Sequence, residues 1–408
     1  MDKIITPSKL IGRVEIPSSK SYSHRAVIAA ALADGVSEVT GVSASKDIDV
    51  TCAAMEALGA NIIADGGTYT IKGIKTPSEK ADIDCGESGS TMRFMIPVAA
   101  ALGTETVFSG HGKLPERPYS PYVRELSRKG VAFDRQSGLP LMISGRLTAG
   151  EYTLEGDISS QFITGLLYAL PICEGDSVIR LSSPLQSKPY VDMTISTLGT
   201  FGIEVGEKTE NGLPLYFVRG GQKYTGAHMK VEGDYSQAAF FFAANAMGCE
   251  IDIRNLAAET SQGDSAIVDI INKNTVNGVL QGFTVDVADI PDLVPILSVL
   301  GCYATGTTRI VNAARLRIKE SDRLESTAAM LRAIGGIVTV GDDWLEMKHT
   351  DCFTGGEVDA CNDHRIVMAA ATAAVNSKAP VTIHGAEAVS KSYPRFFDDL
   401  ESLGAVIS

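Results

Sequence analysis

The chain has 408 residues, of which 44% are hydrophobic and 21% charged, with a formal net charge of −13. That length outgrows one hydrophobic core and favours two domains, and that apolar fraction excludes a disordered chain. Scattered Lys and Arg in an acidic chain exclude a non-specific hold on nucleic acid or on an anionic membrane, so any anion must be bound locally.

The opening "MDKIITPSKLIGRVEIP" has no secretory leader pattern, and no later stretch has the apolar length of a membrane span, which predicts a cytoplasmic protein. From Ile16 to Gly35, "IPSSKSYSHRAVIAAALADG" predicts a helix entered through a polar knot holding Lys20, His24 and Arg25. A helix N-terminus already carries partial positive charge, so cations there are unfavourable unless an anion arrives.

The pattern of β-like run, small polar knot and apolar helix then recurs. It is seen at "CGESGSTMRFMIPVAAAL", "EGDISSQFITGLLYAL", "EGDYSQAAFFFAANAM", "DIPDLVPILSVL" and "ACNDHRIVMAAATAAV". The spacing of roughly 55 to 80 residues is that of a duplicated supersecondary unit. Segments such as "AAMEALGANI" and "AAMLRAIGGIVTV" between the knots read as helix, glycine cap and strand, so the class is α/β. Repeats of this kind also serve as plain stacking scaffolds. Against that, the knots carry Lys20, Arg25, Arg93, Gln161, Asp292, Asp363, His364 and Arg365, more than capping requires.

Two echoing segments, "GRVEIPSSKS" at 12–21 and "MKVEGDYSQ" at 229–237, suggest that the chain leaves one lobe and later returns to it. The expected layout is a discontinuous domain of residues 1–16 plus 232–408 and an inserted domain of 17–231, with the two crossings as hinge and ligands in the cleft.

Further cations lie in "HGKLPERPYSP" (Lys113, Arg117), "AARLRIKESDRLES" (Arg315, Arg317, Lys319, Glu320, Asp322, Arg323) and "VSKSYPRFF" (Lys391, Arg395). Taken alone, the alternating charges of the second stretch suit a solvated helix face. Summed with the knots, they suit polyanionic small substrates. Neither a phosphate-binding GxxxxGK[ST] nor a GxGxxG follows a first strand, and GxSxG and HExxH are absent. Seven cysteines include no CxxC, so no metal site is expected. What remains is acid–base chemistry on small anions, with Asp292, Glu320 and Lys20 able to exchange a proton.

The ordered segments "SSKSYSHR", "CGESGSTMR", "LPERP", "DISSQF", "SKPYVD", "VEGDYSQAAFF", "IPDLVP", "RIKESDRL", "CNDHRIVM" and "KSYPRFF" resemble the EPSP synthase family from end to end. The resemblance implies a two-domain inside-out α/β barrel, each domain of three βαβαββ repeat units, with helix N-termini facing the interdomain cleft. It implies transfer of the enolpyruvyl group of phosphoenolpyruvate to the 5-hydroxyl of shikimate 3-phosphate, by addition–elimination through a tetrahedral intermediate that releases phosphate. The expected catalytic residues are Lys20, Asp292 and Glu320, with Glu320 the acid toward C3 and Asp292 the base on the hydroxyl. Shikimate 3-phosphate would be held by Lys20, Ser21, Arg25, Ser159, Ser160, Ser187, Tyr190, Asp292 and Lys319. Phosphoenolpyruvate would be held by Lys20, Gly89, Arg117, Gln161, Arg323, Arg365 and Lys391.

No cofactor, metal, nucleic acid or membrane is implied, and a monomer is expected. Gly89 leaves space at the phosphoenolpyruvate position, so the resemblance implies inhibition by the phosphonate glyphosate. Three departures stand out: Glu87, Ser88, Gly89 and Ser90 replace the family's frequent Asn-Ala-Gly-Thr, Phe94 replaces a frequent proline, and Arg315 stands where some relatives have asparagine. The alternatives are a UDP-N-acetylglucosamine enolpyruvyl transferase, whose mobile loop carries a cysteine absent from "SGHGKLPERPY", and an RNA terminal phosphate cyclase-like protein, which would want a basic track and stacking aromatics.

Overall fold

A computed structural model describes residues 1–408. The chain forms two compact units, Met1–Pro17 with Gly233–Ser408, and Ser18–Glu232. Each has its own hydrophobic core. No helix is long and apolar enough to cross a membrane.

In the Ser18–Glu232 unit the core is built around three helices, Lys20–Leu32, Gly89–Leu102 and Ser160–Ala169. Their sequences are apolar around nearly the whole circumference, which suits a helix surrounded by protein rather than one lying on a surface. Ser19, Ser88 and Ser159 precede them as N-caps, their hydroxyls accepting from the backbone N–H groups of Tyr22, Thr91 and Gln161.

Three four-stranded sheets surround these helices, with one pairing scheme in each. Lys80–Asp84 and Glu105–Ser109 pair in parallel across the Gly89–Leu102 helix, and Leu141–Gly145 and Val131–Phe133 add antiparallel strands. Glu151–Leu154 and Ser177–Leu181 repeat this across Ser160–Ala169, followed by the Val205–Glu210 and Leu213–Val218 hairpin. In the remaining sheet the parallel partner of Val36–Thr40 comes from the far end of the unit, His228–Lys230.

Two sheets of the other unit use the same scheme, and its remaining sheets are two-stranded pairs. Thr284–Asp286 and Thr307–Val311 flank the Val294–Tyr303 helix, and Gly356–Asp359 and Val381–His384 flank His364–Ala374. Here the first residues of the chain are essential. Asp2–Thr6 lies antiparallel between Val381–His384 and Val406–Ile407, while Ile11–Glu15 pairs in parallel with Glu250–Arg254, the strand after the Tyr235–Ala246 helix.

Helix packing in the Ser18–Glu232 unit turns on one glycine. A Cβ on Gly165 would lie 2.2 Å from Tyr122 Oη and 2.5 Å from the Arg93 carbonyl. Tyr122 Oη donates to that carbonyl at 2.8 Å and lies 2.9 Å from the Phe162 carbonyl, so it has no room to retreat. Gly165→Ala is expected to destabilise by about 1–3 kcal/mol through overpacking, read as a lowered midpoint in thermal or urea unfolding.

Candidate active site

In the Ser18–Glu232 unit three of the predicted acceptor residues, Ser21, Arg25 and Tyr190, are joined by hydrogen bonds. Arg25 is 3% exposed. Its guanidinium donates to Thr194 Oγ1 at 2.9 Å, the Ser21 carbonyl at 2.8 Å and the Tyr190 carbonyl at 2.7 Å. It also lies over the rings of Phe94 and Tyr190, 5.7 and 5.9 Å from their centroids. One cation thus binds Ser21 at the first helix to Tyr190 in the first turn of Lys188–Thr200. Ser187, just before that helix, has φ +59°, a left-handed conformation that a non-glycine residue adopts at a cost.

Lys20, the first residue of its helix, pairs with Asp47 at 2.8 Å, both side chains being 19% exposed. His24 contributes no cation. Its Nδ1 shares a hydrogen bond with Thr51 Oγ1 at 2.8 Å, and burial pushes its imidazolium down to about 3.

Ser160 and Gln161 begin the third helix after the Ser159 cap. Gln161 Oε1 accepts from Arg93 NH1 at 2.6 Å, and its Nε2 donates to Ser90 Oγ at 2.8 Å, which links two helix N-termini. Arg93 is itself steadied over the Phe162 ring, 5.2 Å from its centroid. Gly89 opens the second helix, and a Cβ there would lie 2.6 Å from Arg117 NH1 and 3.4 Å from Arg93 NH1. Two guanidiniums therefore converge on this helix N-terminus, an arrangement suited to an anion. Glu87 leans toward the loop that carries Arg117, since a Cβ on Gly112 would lie 2.6 Å from Glu87 Oε2.

In the other unit, Arg323 is 1% exposed and is held by Asp292 Oδ1 at 2.9 Å, Glu320 Oε2 at 2.6 Å and Asp363 Oδ2 at 2.9 Å. Asp292, from the turn Pro291–Leu293, bridges to Arg365 NH2 at 2.9 Å through its other oxygen. Burial alone would raise the Asp292 carboxyl, but Arg365, Lys319 and Arg323 outweigh it and hold the group well below the ordinary carboxylate range. Lys319 is pushed down to about 8, chiefly by burial, with Arg315 and Arg323 adding repulsion and Asp292 and Glu320 opposing. Lys391 donates to the Asn362 carbonyl at 2.9 Å, in a turn where Cys361 and Asn362 both have positive φ.

The "RLRIKESDRL" stretch is thus not one solvated helix face. It runs from the short 3-10 turn Ala314–Ile318 into a loop and the Asp322 cap. Arg317 faces outward to Asp322 and Glu325 at 2.8 and 3.4 Å, whereas Arg323 turns inward. Asp47 is absent from the sequence reading and Asp363 enters it only as a knot residue beyond capping need, with no site role, although each holds a cation that has one. Asp363 had a signal, since it caps the His364–Ala374 helix with Arg365 two positions on. Asp47 had none, lying 27 positions from Lys20.

Fold and side chains together define an α/β protein of duplicated units whose helix N-termini gather cations and carboxylates suited to acid–base work on small anions. The family model described as EPSP synthase (3-phosphoshikimate 1-carboxyvinyltransferase) matches residues 4–400. The chain belongs to that family.

A protein of Clostridium acetobutylicum named 3-phosphoshikimate 1-carboxyvinyltransferase is 46% identical, over 98% of this chain and 96% of its own length. A protein of Clostridium novyi with the same name is 42% identical, over 99% and 97%. Among solved structures, EPSP synthase from Acinetobacter baumannii superposes with TM-score 0.83 at 26% identity, covering both chains in full. The enolpyruvyl transferase NikO from Streptomyces tendae, at TM-score 0.79 and 17% identity over 100% of this chain and 98% of its own, shares the fold.

Proposed function

We propose that the protein transfers the enolpyruvyl group of phosphoenolpyruvate to the 5-hydroxyl of shikimate 3-phosphate and releases inorganic phosphate. The observation that carries this reading is Asp292, a carboxylate bonded at 2.9 Å to each of two buried guanidiniums, Arg323 and Arg365. That arrangement couples binding of a substrate carboxylate to the state of a base. Arg365, Lys319 and Arg323 keep Asp292 ionised and weakly basic. Arrival of the phosphoenolpyruvate carboxylate at Arg323 and Arg365 offsets their charge and raises the basicity of Asp292 when it is needed.

Glu320, paired with Arg323 at 2.6 Å, becomes the acid by taking up a proton once the negative charge of phosphoenolpyruvate has offset that cation. Asp292 then takes the proton of the 5-hydroxyl while the hydroxyl oxygen bonds to C2 of phosphoenolpyruvate and Glu320 gives its proton to C3, forming a tetrahedral intermediate. The Glu320 carboxylate takes a proton back from C3 as the C2–O bond to phosphate breaks, and the proton held by Asp292 leaves with the phosphate or to water, which completes the exchange. Acceptor contacts fall to Lys20, Ser21, Arg25, Ser159, Ser160, Ser187, Tyr190, Asp292 and Lys319. Lys20, Gly89, Arg117, Gln161 and Lys391 cradle the phosphoenolpyruvate phosphate. The names of the curated relatives favour this acceptor over a UDP-sugar or an RNA end.

The test is phosphate release from phosphoenolpyruvate with shikimate 3-phosphate or with UDP-N-acetylglucosamine, repeated with Lys20→Ala. Release is expected with shikimate 3-phosphate alone and is lost with the variant; release only with the UDP-sugar overturns the assignment. Gly89→Ala places a methyl 2.6 Å from Arg117 NH1. It is expected to raise KM for phosphoenolpyruvate about tenfold or more, a displaced charge-assisted contact being worth about 1.5–3 kcal/mol. Inhibition by glyphosate should weaken in the same variant, whereas an unchanged KM would remove Gly89 from the phosphate cradle.

A further inference from the structure

One buried acid has no part in the chemistry above. Asp264 lies in the short turn Gly263–Ser265 and is 3% exposed. Gln262 fastens that turn to the start of the Tyr235–Ala246 helix, its Oε1 accepting from Tyr235 N at 3.0 Å and its Nε2 donating to the Gly233 carbonyl at 2.8 Å. Asp264 Oδ2 makes a short contact with the hydroxyl of Ser236, while Oδ1 has no hydrogen-bond partner.

The neighbouring helix N-terminus is already capped by Asp234, which accepts from Ser236 N at 2.9 Å and Gln237 N at 3.3 Å. A second acid is superfluous as a cap, and leaving one of its oxygens buried and unbonded is costly. The Tyr235–Ala246 helix packs against the Gly263–Ser265 turn of Asp264, the Pro291–Leu293 turn of Asp292 and the His364–Ala374 helix of Arg365, which brings the three groups around one helix. Asp292 and Arg365 act on Asp264 electrostatically, the first opposing and the second favouring its charge. Asp269 and Lys273, on the Ala266–Asn274 helix that follows, are exposed and lie 3.9 Å from each other. The groups that set the charge of Asp264 are therefore Asp234, Ser236, Asp292 and Arg365.

We propose that Asp264 is a positioning residue for the donor clamp: by carrying or losing one negative charge beside Asp292 and Arg365, it sets how strongly Arg365 holds the phosphoenolpyruvate carboxylate. The proposal rests on the reading of Arg365 as part of that clamp. Burial, reinforced by Asp292, pushes the Asp264 carboxyl up to about 7, against the pull of Arg365 and of the Ser236 hydroxyl. Below that pH the acid is neutral and does not compete with Asp292 and substrate for Arg365. Above it, a further carboxylate competes for the same guanidinium and repels the incoming one.

The test is KM for phosphoenolpyruvate at saturating shikimate 3-phosphate across the pH range around neutrality, in the wild type, Asp264→Asn, Ser236→Ala and Arg365→Lys. Substrate ionisation is common to all four and cancels in their ratios. The wild-type KM, divided by that of Asp264→Asn, is expected to rise about tenfold on passing from the neutral to the ionised acid, the equivalent of one pKa unit of coupling. In Ser236→Ala the rise should move to higher pH, because a bond favouring the charged form is lost.

A ratio that stays constant with pH, or a Ser236→Ala profile that coincides with wild type, overturns the proposal. The second readout decides the matter even if Asp264→Asn does not fold. Should Arg365→Lys leave KM unchanged at every pH, the clamp reading fails and the proposal with it. A KM raised in Arg365→Lys beside a flat wild-type to Asp264→Asn ratio removes Asp264 alone.

Discussion

Arg323→Met is expected to lower stability by about 3–5 kcal/mol and to reduce turnover to the detection limit. The size follows from what the substitution leaves behind. Asp363 is fully buried, and its Oδ2 accepts from Arg323 Nε, while Asp292 and Glu320 lose a partner at 2.9 and 2.6 Å. An unpaired charge in that setting has neither water nor a counter-ion. The double variant Arg323→Met/Asp363→Asn separates stability from chemistry. It should regain much of the lost midpoint in urea unfolding, since the most deeply buried orphan charge is removed, and it should remain inactive. A double variant that regained turnover would mean that Arg323 serves only to hold the fold.

Asp292→Asn is expected to lower kcat by about 10²–10⁴-fold, the range for removal of a positioned acid or base, with a KM for phosphoenolpyruvate that is unchanged or lower. The direction of KM discriminates. An amide leaves Arg323 and Arg365 with one carboxylate fewer, so the substrate carboxylate meets less competition for them. The pH dependence of stability adds an independent check. The folded carboxyl of Asp292 lies below its unfolded value, so its contribution is fully present above the unfolded pKa and is lost as pH falls toward the folded one. Acid unfolding curves of wild type and Asp292→Asn should therefore converge at low pH. A variant with raised KM and intact kcat would make Asp292 a brace for the two guanidiniums rather than the base.

Much of the architecture was legible because its signals are local. A capping Ser, a run such as "AVIAAAL" and a closing glycine each act within a few residues, and their recurrence exposes the duplication. The parallel pairing of Ile11–Glu15 with Glu250–Arg254 is different, since strand partners hundreds of positions apart leave no mark in either segment alone. The same divide runs through the site. Lys20, Arg25 and Gln161 were visible as excess polarity at helix starts. Charge pattern does not separate Arg317 from Arg323, because alternating charge reads the same whichever one turns inward, and only the family resemblance picks out Arg323. His24 looked like a third cation until its burial beside Thr51 and Phe94 fixed it as neutral. Asp264 carried no signal at all, since an acid in a polar turn is ordinary until its surroundings are known.

The strands contributed by the first seventeen residues impose an order on biosynthesis. Ile11–Glu15 cannot find its partner until Glu250–Arg254 has left the ribosome, and Asp2–Thr6 must wait longer still, for Val381–His384. The inserted unit, being contiguous, has by then emerged whole and is free to fold first. Asp2–Thr6 and Ile11–Glu15 therefore stay unpaired while more than two hundred further residues are made, their strand edges open to chaperones and proteases, and a chain that stops short of Val381–His384 yields one finished unit and one that has no means of closing.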